Sequence, residues 1–262
     1  DNALSPGSIS LGAAPMYGDA DDGFVLGVGG PCDLTWSLPA LGAVLFDKPE
    51  FASRTPPASD RLYWFLGRAG VARHRELLDA KGRGDRPLVS KCFPQTGLYI
   101  LQAARSEPPL SVSAIIDGGE LGFGSIAAHG HADALSVVLR VNGRTVLCDP
   151  GTYDYFTYPP WRRYFRGTAA HNTVQIDGLD QSAILGPFMW GRRANCQLVN
   201  WKPSADGGEV CLEHDGYAQL PGRVNHRRTV RLSLASCELI VLDELWGWGR
   251  HMARQFWHLG RG

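Results

Sequence analysis

The side chains best able to do chemistry are gathered in residues 124–182, which hold three of the eight histidines. His129 and His131 lie two residues apart, in front of an alternating apolar run from Leu135 to Val141. If a strand begins near His129, its period of two places His129, His131 and Asp133 on one face. The sequence therefore predicts two imidazoles and a carboxylate side by side.

A hairpin and a later strand bring further groups to the same place. Asn142-Gly143 is a strong hairpin signal, and the strand that returns from it ends at Asp149, close to the start of the first strand. A later strand opens with His171. His131, Asp149 and His171 thus form a candidate metal set, because neutral imidazole and carboxylate suit zinc with an open fourth position. The alternative is that these histidines cap strand ends and bond to the backbone.

Residues 150–170 are predicted to form a long loop that is rich in aromatic side chains and arginine. Loops longer than about 12–15 residues are usually functional or disordered, and this one is too aromatic to be disordered. Aromatic faces stack on sugar rings, and arginine binds carboxylate or sulfate through two parallel hydrogen bonds. The predicted substrate-binding residues are Tyr153, Tyr155, Trp161, Arg162 and Arg166. The alternative is that the aromatic side chains pin the loop to the core.

The rest of the chain predicts an α+β protein of two domains. Helical spacing of apolar residues covers 38–46 and 59–80, and a polar linker follows. Nine short apolar runs bounded by turn residues then indicate an antiparallel β-sandwich. These runs are Leu98–Ala103, Leu110–Ile116, Leu135–Val141, Thr145–Cys148, Thr173–Ile176, Asn195–Val199, Glu209–Glu213, Arg228–Leu234 and Leu239–Glu244.

Composition excludes some functions. Lysine plus arginine equal aspartate plus glutamate at 26 each, so no overall field favours nucleic acid or an anionic membrane. The sequence contains no run of about 20 apolar residues, which is the pattern that predicts a membrane span. The six cysteines lack zinc-ribbon spacing. An acidic cluster at Asp19, Asp21 and Asp22 is interpreted as a loop near a helix N-terminus, with a calcium loop as the weaker alternative.

Several spaced motifs resemble one enzyme family. They are HGHADALS (129–136), DPGTYDY (149–155) and WRRYFRGTAAHNTVQIDGLDQS (161–182), with PMYGDADDG (15–23) upstream. Together they resemble the heparinase II/III-like group of bacterial polysaccharide lyases, over essentially the whole chain. The resemblance implies an (α/α) toroid followed by a large β-sandwich, with the site in the cleft between them. Residues 1–86 would then be the terminal helices of a truncated toroid plus a linker, and residues 87–262 a sandwich that is truncated at its C-terminus.

The resemblance also implies a reaction. Enzymes of this group break uronate polymers such as heparin, heparan sulfate and alginate by β-elimination, which needs a charge neutraliser, a base and an acid. His129 matches the neutralising histidine, and His131, Asp149 and His171 match the ligands of a mainly structural zinc. The family's tyrosine, asparagine and histidine set lies in the helical part, and no position in residues 1–90 matches it. The implied partner is an anionic uronate polysaccharide, and the implied location is periplasmic or secreted.

Two other functions fit parts of the sequence. His131-Ala132-Asp133 followed by a distal histidine, His171 or His226, fits the facial triad of a non-haem iron oxygenase. The pattern is short and often occurs by chance. A sandwich that binds sugar without catalysis is the other alternative.

Overall fold

The computed structural model describes residues 18–19, 34–52, 60–80 and 88–260, except the side chains of residues 34–37 and 60. Asp21 and Asp22 of the acidic cluster, and most of the motif at residues 15–23, lie outside the described residues. The chain divides into two compact units, one of residues 21–86 and one of residues 1–20 together with 87–262. The predicted division had placed residues 1–20 with the helices instead.

The smaller unit is helical. Its helices are α1 (Leu34–Leu45), α2 (Pro49–Ala52) and α3 (Asp60–Ala80), and α3 is interrupted by a non-helical backbone at Gly67. Its buried apolar core consists of Ala43, Ala52 and Leu77. The three helices among the described residues, with so small a core, do not by themselves form a toroid. The assignment of residues 1–86 to the end of one stays a prediction.

The larger unit consists mostly of antiparallel strands. In chain order its elements are β1 (Lys91–Phe93), β2 (Leu98–Ser106), β3 (Pro109–Asp117), β4 (Val137–Val141), β5 (Arg144–Leu147), α4 (Pro159–Arg166), a 3₁₀ turn (Thr168–Ala170), β6 (Val174–Ile176), β7 (Ile184–Gly186), β8 (Met189–Trp190), β9 (Cys196–Ser204), β10 (Gly207–His214), β11 (Asn225–Ser233), β12 (Glu238–Trp246) and β13 (Ala253–Gln255).

Two of the sheets form a sandwich. One has the order β1-β2-β3-β4-β5 and the other β12-β11-β10-β9, while β6 pairs with β13 and β7 with β8. Burial alternates along the strands, because every second side chain points into the sandwich. In the first sheet, Leu101 and Ile116 point inward and are buried. Val210, Leu212 and Val230 meet them from the second sheet. Full burial of each such side chain contributes about 1.5–3 kcal/mol.

All nine apolar runs contain strands, but their ends differ from the prediction. The hairpin at Asn142-Gly143 is present, with the positive φ at both residues (50° and 77°) that a two-residue turn of this kind requires. The fourth strand begins at Val137, well after His129. The short strands β1, β7, β8 and β13 were not predicted. Among the described residues, no helix combines the length and apolar character needed to cross a bilayer.

Candidate functional site

The segment that carries His129 and His131 is a loop, so the predicted strand face is absent. His129 has a positive φ of 63°, which is incompatible with a strand. Gly130 is pressed against the backbone, where a Cβ would lie 2.7 Å from the nitrogen of Gly122. The amide of Ala132 donates to the carbonyl of Arg166 at 2.8 Å. The loop is therefore shaped by backbone contacts, and the two histidines do not alternate along a strand.

The structure nevertheless brings His131, Asp149 and His171 together. One potential ligand atom from each lies within 4.8 Å of the others, and both histidines are buried. Asp149 follows the end of β5, and its Oδ2 lies 2.8 Å from Nδ1 of His171. The two imidazole rings are 5.2 Å apart between centroids. The loop of His131, the β4–β5 hairpin and the 3₁₀ turn thus each place one donor group in the cluster.

Side chains next to these residues hold the backbone in place. The amide nitrogen of the Asn172 side chain donates to the carbonyls of Val137 and Cys148, at 2.8 and 2.9 Å. Nη1 of Arg228 donates to the carbonyls of Leu135 and Asn172. Because Asn172 follows His171 and Cys148 precedes Asp149, these bonds fix the segments that carry both residues.

An unpaired buried ring nitrogen indicates that the cluster fits a metal ion. Nδ1 of His131 has no hydrogen-bond partner, although buried polar atoms are nearly always paired. The other nitrogen of this ring, Nε2, faces the carboxylate of Asp19, whereas Nδ1 of His171 faces Asp149. Carboxylates that orient metal-ligating imidazoles are common around metal sites. The donor types of His131, Asp149 and His171 suit zinc.

Electrostatics distinguishes the two histidines of the cluster. Burial lowers the pKa of His131, even though the hydrogen bond to Asp19 acts in the opposite direction. Burial also disfavours the charged form of His171, but the carboxylate of Asp149 outweighs it and raises the pKa of His171 to about 9. Without metal, His131 is therefore neutral at pH 7 and His171 is protonated. Metal binding at His171 would release a proton.

His129 lies at the edge of the cluster and faces solvent. Its side chain is 46% exposed, and its Nδ1 lies 3.3 Å from Oδ2 of Asp19. It also lines a cleft of about 260 Å³, whose other lining residues include Glu120, Asp133 and Ser182. A ligand in this cleft can reach His129, and His131 also lines the cleft although it is almost completely buried.

The predicted long loop contains a helix, and this changes the interpretation of its arginines. Pro159 and Pro160 occupy the first turn of α4, where proline's fixed φ favours a helix start, and the helix ends before Gly167. Arg162 and Arg166 lie four residues apart on its buried face, with relative exposures of 3% and 1%. The prediction that they bind substrate finds no support in this placement.

Both arginines are engaged inside the protein. Arg162 makes a bidentate pair with Asp19 and donates to the carbonyl of Pro187. Arg166 donates to the carbonyls of Gly186 and Pro187 and lies 4.5 Å from the ring centroid of Trp190. Burial lowers the pKa of Arg166 to about 10. These contacts pack α4 against the β7–β8 hairpin.

The aromatic residues of the same segment form an exposed cluster on the other side of α4. Tyr153 stacks on Phe165 at 5.4 Å, and Trp161 contacts Tyr153, Tyr164 and Phe165 at 5.8–6.0 Å between ring centroids. Tyr153, Trp161 and Tyr164 are exposed. We call Tyr153, Trp161, Tyr164 and Phe165 the aromatic platform. The half-buried Tyr155 instead stacks on Phe188 and lies over Arg162.

The residues of the iron-oxygenase alternative do not come together as that pattern requires. Asp133 is buried beside the cleft and is not among the three clustered donors of the described residues. Burial and the nearby Asp117 raise the pKa of Asp133 well above its usual value. His226 lies elsewhere, between His214 at 3.1 Å and Asp243 at 2.7 Å. The carboxylate that joins His131 and His171 is Asp149.

Asp19 is the site residue that sequence reasoning missed. It was interpreted as part of a helix-capping loop, but its buried carboxylate contacts His129, His131 and Arg162. Those hydrogen bonds outweigh its burial and hold the pKa of Asp19 well below its usual range. The only available signal was its place in the motif at residues 15–23, which gives no spatial information about residues more than 100 positions away.

A family model described as "Heparinase II/III-like, C-terminal" matches residues 85–262. None of the curated protein sequences matches the chain.

Solved structures with similar folds carry related descriptions. A heparinase III gene product has a TM-score of 0.62 at 16% identity, covering 97% of this chain and 33% of that protein. The heparan sulfate lyase of Pedobacter heparinus has a TM-score of 0.57 at 16% identity, covering 91% and 31%. Another heparinase III has a TM-score of 0.52 at 19% identity, covering 91% and 32%. The chain thus spans about a third of each protein, and identities this low indicate a shared fold.

Proposed function

The chain belongs to the heparinase II/III-like family, and from this premise we propose that it supplies the β-sandwich side of the cleft of a polysaccharide lyase. The substrate would be an anionic uronate polymer of the heparin, heparan sulfate or alginate type, broken by β-elimination. The observation that carries the proposal is the half-exposed His129, held beside a buried set of metal-ligand type. A periplasmic or secreted location accompanies this proposal.

In this proposal His131, Asp149 and His171 hold zinc. The ion would be structural, because two of these residues are fully buried and the third is largely buried. It would supply a fixed point that joins the loop of His131, the end of β5 and the 3₁₀ turn. Since the ligands come from three separate segments, metal binding would be coupled to folding of this part of the sandwich.

His129 would act on the uronate carboxylate. In β-elimination the C5 proton leaves, a double bond forms between C4 and C5, and the C4–O bond breaks as the leaving oxygen gains a proton. Removal of the C5 proton is easier when the charge of the adjacent carboxylate is neutralised. A protonated or hydrogen-bonding imidazole at His129 would provide this. The base and the acid are not assigned to any described residue.

We further propose that the aromatic platform contacts sugar rings through its exposed members, Tyr153, Trp161 and Tyr164. Trp161→Ala should raise KM for the polysaccharide by up to about tenfold, since one aromatic contact contributes roughly 0.5–1.5 kcal/mol. Trp248→Ala is a matched control, because Trp248 is 83% exposed and belongs to the loop between β12 and β13. Steady-state kinetics on both variants checks this, and equal KM values for Trp161→Ala and wild type would contradict it.

The platform also supports a second candidate, a sandwich that binds polysaccharide without breaking it. The two functions are separated by incubating the protein with heparin, heparan sulfate and alginate. A lyase produces the ultraviolet absorbance of the unsaturated uronate product. Retention on immobilised polysaccharide without any such absorbance would favour binding alone. Metal analysis of the same sample distinguishes zinc from the iron of an oxygenase.

A further inference from the structure

Asp19 is joined to the histidine loop by its backbone as well as its side chain. Its amide donates to the carbonyl of His129 at 2.9 Å. Gly18 precedes it with a φ of 63°, and a Cβ at Gly18 would lie only 2.5 Å from that same carbonyl oxygen. Only glycine permits so close an approach at this φ. The sequence Gly18-Asp19 thus docks directly against the backbone of His129.

The two oxygens of the Asp19 carboxylate face different histidines. Oδ1 lies 3.0 Å from Nε2 of His131, and Oδ2 lies 3.3 Å from Nδ1 of His129. Arg162 contacts both oxygens, and its Nη2 donates to Oδ2 at 2.6 Å. The Oγ1 of Thr152 lies 3.4 Å from Oδ1. The side chain of Asp19 is completely buried, so water does not compete for these contacts.

These contacts determine which nitrogen of His131 is available to a metal. A carboxylate oxygen accepts hydrogen bonds, so Nε2 of His131 carries the proton in this arrangement. The unpartnered Nδ1 then keeps its lone pair and is the atom left to face the donors of Asp149 and His171. Partners of this kind typically change metal affinity by about 10–100-fold when they are removed.

We propose that Asp19 is a positioning residue that serves both histidines with one carboxylate. It fixes His131 in the tautomer that ligates through Nδ1, and it holds His129 in its left-handed backbone conformation at the cleft. This inference rests on the proposed metal centre. Its consequence is that the segment before the helical unit contributes to the site, although it is far from the histidines in sequence.

The competing explanation is that Asp19 only neutralises the buried Arg162. Asp243 provides a matched control, because it also pairs with a buried arginine and a buried histidine. Its Oδ1 lies 2.7 Å from Nε of Arg228 and 2.7 Å from Nε2 of His226. Asp19→Asn and Asp243→Asn therefore disturb similar ion pairs, but only the first touches His129 and His131. Arg228 bonds Asp243 through Nε and Nη2, so its Nη1 keeps the carbonyls of Leu135 and Asn172 in the control.

The test measures zinc affinity by chelator competition and the His131 tautomer by long-range ¹H–¹⁵N spectra, both independent of activity. We expect Asp19→Asn to bind zinc about 10–100-fold more weakly and to lose the single Nε2-protonated form of His131. Asp243→Asn should stay within about threefold of wild-type affinity, below the smallest loss expected for the lost partner. Wild-type affinity in Asp19→Asn, or equal losses in both variants, would overturn the proposal.

Failure of the metal centre is distinguishable from failure of this inference. If the wild-type protein takes up no zinc, the proposed metal centre is refuted. The predicted difference in zinc affinity between the variants is then refuted as well. Zinc binding by wild type with an unchanged Asp19→Asn variant refutes only the role of Asp19. If Asp19→Asn does not fold, the wild-type spectrum decides, since a proton on Nδ1 of His131 would contradict the assignment and a proton on Nε2 would support it.

Discussion

Replacing His129 by alanine is expected to lower the lyase activity of the protein by at least about 100-fold, while zinc content and fold stay intact. The loss reflects the missing neutraliser of the uronate carboxylate, and the size follows from removal of one charge-stabilising group at an active site. The zinc ligands are untouched, and the side chain of His129 is half exposed, so little packing is lost. The loss should appear in kcat more than in KM.

His251→Ala is the matched control for this variant. His251 also pairs through Nδ1 with an aspartate, Asp177, at 2.7 Å, but it lies in the loop before β13 and touches none of the candidate site residues. The activity of His251→Ala should equal that of wild type. Product absorbance measured for both variants checks the expectation. Undiminished kcat in His129→Ala would remove His129 from the mechanism.

Replacing His131 by alanine is expected to cost metal and stability together. The variant loses a ligand and a hydrogen bond to a buried carboxylate, and it leaves a cavity. We expect the free energy of unfolding to fall by about 2–4 kcal/mol without zinc. The additional stabilisation by zinc, about 4 kcal/mol at a concentration ~1,000 times its Kd, should disappear as well.

His214→Ala separates metal loss from general destabilisation. His214 is as buried as His131 and bonds another histidine, but it is not among the clustered donors. It should lower Tm and still bind one zinc ion, whereas His131→Ala should bind none. Thermal unfolding with and without zinc, together with metal analysis, gives both quantities. Equal metal loss in His129→Ala and His131→Ala would contradict the division of roles between the two histidines.

Much of the sandwich was predictable because it follows from local patterns. Apolar alternation locates the strands, and Asn142-Gly143 fixes a hairpin whose return strand leads to Asp149. Hairpin connectivity therefore carries Asp149 back toward His131 without any knowledge of the wider fold. The proximity of His171 followed from its place before β6 together with the family resemblance. The structure brings the three residues together, and metal binding itself stays a prediction.

What the sequence did not reveal depends on contacts between distant segments. The apolar run after His131 implied a strand, but close packing of Gly130 against Gly122 bends this segment into a loop. Pro159-Pro160 lies within the predicted loop of residues 150–170, although two prolines also suit the first turn of a helix. Arg162 and Arg166 are predicted to bind substrate, and arginine is rarely buried. Their buried state depends on Asp19 and on the carbonyls of β7–β8.

The most direct test of the account is an anomalous-scattering map at the zinc edge from crystals of the purified protein. The account predicts one peak about 2.0–2.2 Å from a ring nitrogen of His131, a ring nitrogen of His171 and a carboxylate oxygen of Asp149. The imidazole of His129 should lie outside the coordination sphere and face the cleft. A peak bound by His129, or no peak between the three residues in zinc-loaded protein, would contradict it.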